Sequence, residues 1–193
     1  MSSATEILDF WFGTSQAAAT PSQVRKVWFA KDPEFDQLIQ NRFQATYEQA
    51  AAGQLNHWQA LPEGCVALIL LLDQFPRHMF RGKPRAFSTD HLALSIAQQA
   101  INHGFDQQLP ALQCWFLYIP FMHSEQLEQQ RQSVELFRQL KDAEPKTASA
   151  FCYAVKHLEV VEQFGRFPHR NSILGRVSTP EEVAFLKQRG SSF

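Results

Sequence analysis

Along most of the chain, apolar side chains recur every three to four residues, the spacing that gives a helix one buried face. Phe35, Leu38, Ile39, Phe43, Thr46, Tyr47 and Ala50 follow this period. Asp32 caps the helix they predict, Pro33 takes its first position, and Gly53 ends it. Ahead of it, Ser3 followed by Glu6 has the form of a capping box, and Ile7 to Phe12 gives a short first helix stopped by Gly13. A loop to Ser22 and a short helix over 23–29 come next. Pro62 and Glu63 open a buried helix running to Leu72. Its leucine content and helical neighbours decide against a buried strand.

Further on, Pro76, Gly82 and Pro84 break regularity. Ser88 or Thr89 caps a helix carrying Leu92, Leu94, Ile96, Ala97, Ala100 and Ile101 up to Gly104. Pro110 opens an apolar helix over 112–119 whose end Pro120 perturbs. Ser124 caps an amphipathic helix with Glu125 in its first turn and Leu127, Val134, Phe137 and Leu140 on its apolar face. A helix over 147–164 places Ala150, Phe151, Ala154, Val155, Leu158 and Val161 inward. Thr179 to Glu182 is a further capping box, with Val183, Phe185 and Leu186 anchoring a last helix. The expectation is an all-α protein, a single domain over 1–193. Tyr47, Ala50 and Gly53, echoed by Ala97, Ala100 and Gly104, suggest antiparallel helix pairs in a repeat-like array.

Composition fits this picture. Seventeen Phe and four Trp favour a core of large side chains, and a formal net charge of −1 gives no strong overall field. Nucleic acid is therefore disfavoured as a partner, although two local segments are basic. Cys65, Cys114 and Cys152 sit in apolar surroundings without CxxC spacing, which reads as buried free thiols in a reducing compartment. Glu6 and Asp9 stand where a secretory signal would carry basic residues, and no run reaches the roughly 20 apolar residues of a membrane span. The chain is expected to be cytoplasmic and to have no membrane partner. Association into a homo-oligomer through leftover apolar faces stays open.

The candidate chemistry lies in the two basic segments. The first, Asp73 to Phe87, holds Arg77, His78, Arg81, Lys83 and Arg85; the second, Glu162 to Asn171, holds Arg166, His169 and Arg170. Both read acid, Gln, Phe, one residue, Arg, with Pro and His close by. Loop arginines held against a core suit bidentate capture of a carboxylate or phosphate. Arg77, Arg81, Arg166, Arg170 and Asn171 are the candidate ligand-binding residues. His123 and His169 titrate near neutrality and are candidate proton carriers, with Glu125 as the carboxylate orienting His123. The competing account is internal pairing: Asp73 to Arg77 and Glu162 to Arg166 both have the i,i+4 spacing of helical ion pairs.

His123, Glu125, His157 and Glu162 could in principle hold a metal, but no spacing such as HExxH supports it, and neither metal nor cofactor is expected. Neither a P-loop, nor GxGxxG, nor a GxSxG elbow is present.

With these motifs in view, the chain resembles the bacterial domain-of-unknown-function family nine-two-four, within the tetratricopeptide-like helical superfamily. The resemblance rests on Leu8-Asp9-Phe10-Trp11-Phe12-Gly13, Trp28-Phe29, Leu71-Leu72-Asp73-Gln74-Phe75-Pro76-Arg77 and Arg81-Gly82. It continues through Pro120-Phe121-Met122-His123-Ser124-Glu125, the second basic segment, Leu174-Gly175-Arg176 and Ser178-Thr179-Pro180-Glu181-Glu182. It implies a tetratricopeptide-like fold and no particular reaction. Three functions remain open from the residues. The first is binding of an anionic small molecule or peptide carboxylate in an Arg/His-lined groove. The others are an enzyme using His123 or His169 as acid or base, and a protein-interaction scaffold.

Overall fold

The computed structural model describes residues 2–13 and 28–191. Among them there is no strand, and the elements are helices joined by short turns. Helix α1 (Ala4–Phe12) starts where the Ser3 hydroxyl accepts from the Glu6 amide, and it stops at Gly13. Most of the expected short helix over 23–29 lies outside the described residues. Helix α2 (Pro33–Ala51) is capped by Asp32, which accepts from the Glu34 and Phe35 amides. Its buried face is Phe35, Ile39, Phe43, Thr46, Tyr47 and Ala50, whereas Leu38, expected inside, is exposed.

The centre of the molecule is α3 (Pro62–Ile69), which runs into a π-turn (Leu70–Gln74) and then α4 (Phe75–Met79) without interruption. From Gly64 to Pro76 every residue is buried. Gly64 is glycine because the Trp58 carbonyl occupies the space a Cβ would need. Pro76 does not break the helix as the sequence suggested. It lacks the amide that would bond the Leu72 carbonyl, and the π-turn absorbs the defect by pairing the Phe75 amide with Leu70. The free Leu72 carbonyl accepts instead from the Thr89 hydroxyl. Thr89 stands at the N-cap of α5 (Asp90–Asn102), but with its hydroxyl so engaged it makes no side-chain cap.

Helix α6 (Ala111–His123) likewise continues through Pro120 and ends only after His123. Ser124 is therefore the C-cap of α6. The next helix, α7 (Leu127–Ala143), starts three residues later, which leaves Glu125 in the connection and not in a first turn. Helix α8 (Ala148–Phe164) ends on Gly165 in the left-handed conformation, φ 67°, which turns the chain into the second basic segment. Helix α9 (Pro180–Leu186) has both halves of the expected capping box, Thr179 and Glu182. Its buried residue is Glu182, and Val183 is exposed.

Packing places α3 against α1, α5 and α6, and α4 against α2. Helices α6, α7 and α8 pack in succession. Trp11, Phe12, Trp28, Phe75 and Phe116 form an aromatic cluster in the core, with the Trp28 indole donating to the Trp11 carbonyl. Cys65 and Cys114 are buried free thiols, whereas Cys152 is free and exposed on α8. Among the described residues no helix is long and apolar enough to cross a membrane.

Candidate functional site

The π-turn places a carboxylate where the apolar run would otherwise continue. Asp73 has no exposed surface. Its Oδ1 lies 2.7 Å from Nδ1 of His123, at the end of α6, and 3.3 Å from Nη1 of Arg77 on α4. Its Oδ2 accepts from the Gln74 amide. Burial alone would push the Asp73 pKa up, but Arg77 and His123 beside it hold the group below the usual carboxylate range. An ionised Asp73 must accept, so His123 carries its proton on Nδ1. Its Nε2 then carries a lone pair, and it makes no hydrogen bond among the described residues. The ring is 16% exposed.

Arg77 extends the network. Its guanidinium holds Asp90, the first residue of α5, in a two-pronged bond of 2.9 and 3.0 Å and also donates to the Asp73 carbonyl. Arg170, from the second basic segment, reaches the same Asp90 at 3.4 Å. The Arg170 guanidinium lies between Phe87 and Phe167, 4.7 Å from each ring centre, and its side chain is 8% exposed. Its Nε is buried and has no hydrogen-bond partner among the described residues. Burial and the neighbouring Arg77 lower its pKa to about 10. Phe87, part-buried in the turn over Pro84–Phe87, lies over both guanidiniums.

Two further histidines border this cluster. His157 on α8 is 6.3 Å from His123 between ring centres, and burial, then His123, drops its pKa to about 3. His169 packs 5.7 Å from Phe167, and burial, then Arg170, brings it to about 4. Both rings are neutral at physiological pH.

The sequence-derived site is thus brought together only in part. Arg77, Arg170, His123 and His169 belong to one cluster. Arg81, beyond the end of α4, pairs with Asp36 of α2 at 2.7 Å, beside His78. Arg166 takes Glu182 of α9 at 2.6 Å and not Glu162, its i,i+4 neighbour, because Gly165 has already ended the helix; Glu162 instead approaches Arg131. Asn171 bonds Ser178 and Glu182 in that same network. Glu125 does not orient His123. It accepts from both ends of the Arg176 guanidinium and from the Phe167 amide, so it holds the second basic segment in place, and His123's orienting carboxylate is Asp73.

Asp73, Asp90 and Phe87 are site residues the sequence reading did not assign. The local signals were an acid directly after the leucine-rich run to Leu72 and its i,i+4 spacing to Arg77. Among the described residues no group of three His, Cys, Asp or Glu side chains could hold a metal. Depressions on the surface lie along α2, around Gln37 and Gln44, and between α8 and α9, around Gln163 and Thr179, and the cluster lines neither.

Comparison with other proteins gives a consistent setting. The family described as bacterial protein of unknown function (DUF924) matches residues 7–190. A solved structure, the protein of unknown function ATU0120 from Agrobacterium tumefaciens, is similar with 38% identity and a TM-score of 0.83, over 95% of this chain and 96% of that one. Among curated proteins, none matches.

Proposed function

From the premise that this chain belongs to the bacterial family of proteins of unknown function DUF924, we propose that it binds a small anionic group at the Arg77–Arg170 cluster. One observation carries the reading: Arg170 is short of counter-charge. Among the described residues its one carboxylate contact is at 3.4 Å, to an Asp90 already taken at 2.9 and 3.0 Å by Arg77, and its Nε is buried without a partner there. A buried cation in that state gains from any anion that reaches it. The cluster lines neither of the two depressions named above, which fits a ligand that presents only a head group, a carboxylate or phosphoryl. Arg81, Arg166 and Asn171 serve their own networks and drop out of the clamp.

The test is a thermal shift of the full chain with phosphate, sulfate and short carboxylates. A ligand at about 100 times its Kd adds about 2.7 kcal/mol of stability. Arg170→Met keeps the packing between the two Phe rings and removes the charge. It should lose the anion-dependent shift while melting, without ligand, at or above the wild-type temperature. Loss of most of the ligand-free stability in that variant would instead make Arg170 a structural ion.

A second reading is enzymatic, with His123 as general acid or base, and the 2.7 Å contact to a buried, ionised Asp73 favours it. It requires His123→Asn to abolish a turnover that wild type shows.

Two coarser features belong to the same reading. The successive packing of α6, α7 and α8 supports antiparallel helix pairs of tetratricopeptide-like kind in one domain. The buried free thiols of Cys65 and Cys114 support a reducing, cytoplasmic setting.

A further inference from the structure

The chain beyond α8 is knit to itself. Arg166 holds Glu182 at 2.6 Å and also donates to the Val177 carbonyl. Asn171 bonds Ser178 and Glu182, and the Arg176 amide donates to the Asn171 carbonyl. Residues 166–191 therefore hold together as one unit, which the chain enters through Gly165.

The attachment of this unit to the body is of a different kind. Its apolar contacts with α8 form a satellite cluster of Val160, Val161, Phe164, Phe167 and Phe185, separate from the main core. Two carboxylates fasten it. Glu125, in the connection between α6 and α7, accepts from the Phe167 amide at 2.8 Å and from Arg176 at 2.7 and 2.9 Å, and both side chains of that ion pair are partly exposed. Asp90 meets Arg170 at 3.4 Å. Three polar atoms of the unit, Arg170 Nε, Asn171 Oδ1 and Arg176 Nε, are buried without a hydrogen bond among the described residues. Water satisfies such groups once they are uncovered, so the closed position forgoes hydrogen bonds that an open one regains. The depression around Gln163 and Thr179 lies in the seam between α8 and this unit, flanking Gly165.

Resting on the anion-binding reading above, we propose that residues 166–191 form a hinged cap: it swings on Gly165, its opening admits the anion to Arg170, and the bound anion draws it shut. Packing says what the cap covers. Phe167 lies 5.4 Å from the His157 ring, and Arg170 lies on Phe87 and Asp90, so lifting the unit uncovers the cluster. The coupling follows from charge. Closing the cap buries the Arg170 guanidinium against a carboxylate that Arg77 already holds. An anion supplies the counter-charge that the closed position lacks, whereas in the open position water solvates the cation. The anion therefore binds the closed state better and shifts the population toward it.

The experiment is amide hydrogen exchange of the full chain, read residue by residue by NMR, in chloride and in inorganic phosphate at equal ionic strength. The Leu174, Arg176 and Val183 amides are all bonded inside the unit. They should exchange together, about tenfold or more faster than the amides of α3 and α5. Glu125→Gln removes the charge from the latch and should speed the three about tenfold further while α3 and α5 keep their rates. Arg176→Gln cuts the latch from the other side and should do the same, which keeps the test open should one variant fold poorly. Phosphate should slow the three several-fold in the wild type and leave them unchanged in Arg170→Met. Exchange at the rate of the core, with the latch intact or cut, overturns the cap. Phosphate that raises the melting temperature without slowing the three amides overturns the gate and leaves anion binding intact. If phosphate changes neither, the anion-binding reading falls and the gate falls with it.

Discussion

An ionised carboxyl group with no exposed surface is tolerable only when its oxygens are held, and Asp73 is held by His123, Arg77 and Gln74. Truncation would leave the Arg77 charge and the His123 Nδ1 proton without that partner. Asp73→Ala should therefore cost about 3–5 kcal/mol in urea denaturation, the range for breaking a buried pair from one side. A loss below about 1 kcal/mol would mean that water already satisfies these groups. The residue scale is also where the sequence was least legible. Spacing correctly paired Asp73 with Arg77, because i,i+4 geometry is local. No spacing rule joins Asp73 to His123, fifty residues away. Glu125, only two residues from His123, was the nearer acid to choose. The structure refuses it because the chain turns out of α6 between them and sends Glu125 to Arg176.

At the scale of elements, the features set by backbone chemistry were readable: the Ser3 and Asp32 caps, the Thr179–Glu182 box, the Gly165 stop. The two prolines expected to break or perturb helices, Pro76 and Pro120, were misread, since both lie inside helices buried by packing that outweighs the lost hydrogen bond. At Pro76 the compensation is specific. The π-turn opens the ladder, and two of its carbonyls accept from side chains, Leu72 from the Thr89 hydroxyl and Asp73 from the Arg77 guanidinium. The turn that places Asp73 beside His123 is thus pinned to α5 at Thr89. Thr89→Val keeps the shape and removes the donor, leaving the Leu72 carbonyl buried and unsatisfied at a cost of about 1–3 kcal/mol. The same variant should speed amide hydrogen exchange over 70–76 more than elsewhere in the core. Uniform exchange would show that the π-turn holds without the staple.

At the scale of the whole molecule, the two basic segments are tied together by one carboxylate, Asp90, and bordered by two neutral imidazoles, His157 buried and His169 half-buried. This arrangement makes stability depend on pH with a definite sign. His157 and His169 have pKa values lowered by burial to about 3 and about 4, whereas in the unfolded chain each titrates near 6.5. Below pH 6.5 the unfolded state therefore binds protons that the native state refuses, and stability falls as the pH falls. The full contribution is present above pH 6.5 and is lost progressively down to the native values. Each histidine gives a slope of up to about 1.4 kcal/mol per pH unit within that window. Between pH 5 and 7 most carboxylates stay ionised in both states, so the histidines dominate. Urea unfolding at pH 5 should thus show about 2–4 kcal/mol less stability than at pH 7. His157→Phe should flatten the slope by that histidine's own share, up to about 1.4 kcal/mol per pH unit, since a phenyl ring fills the site without a proton to take up. A flat profile in the wild type would mean that the rings accept protons in place, with Asp73 and Asp90 as their counter-charges. In that state the cluster would already be cationic before any anion arrives.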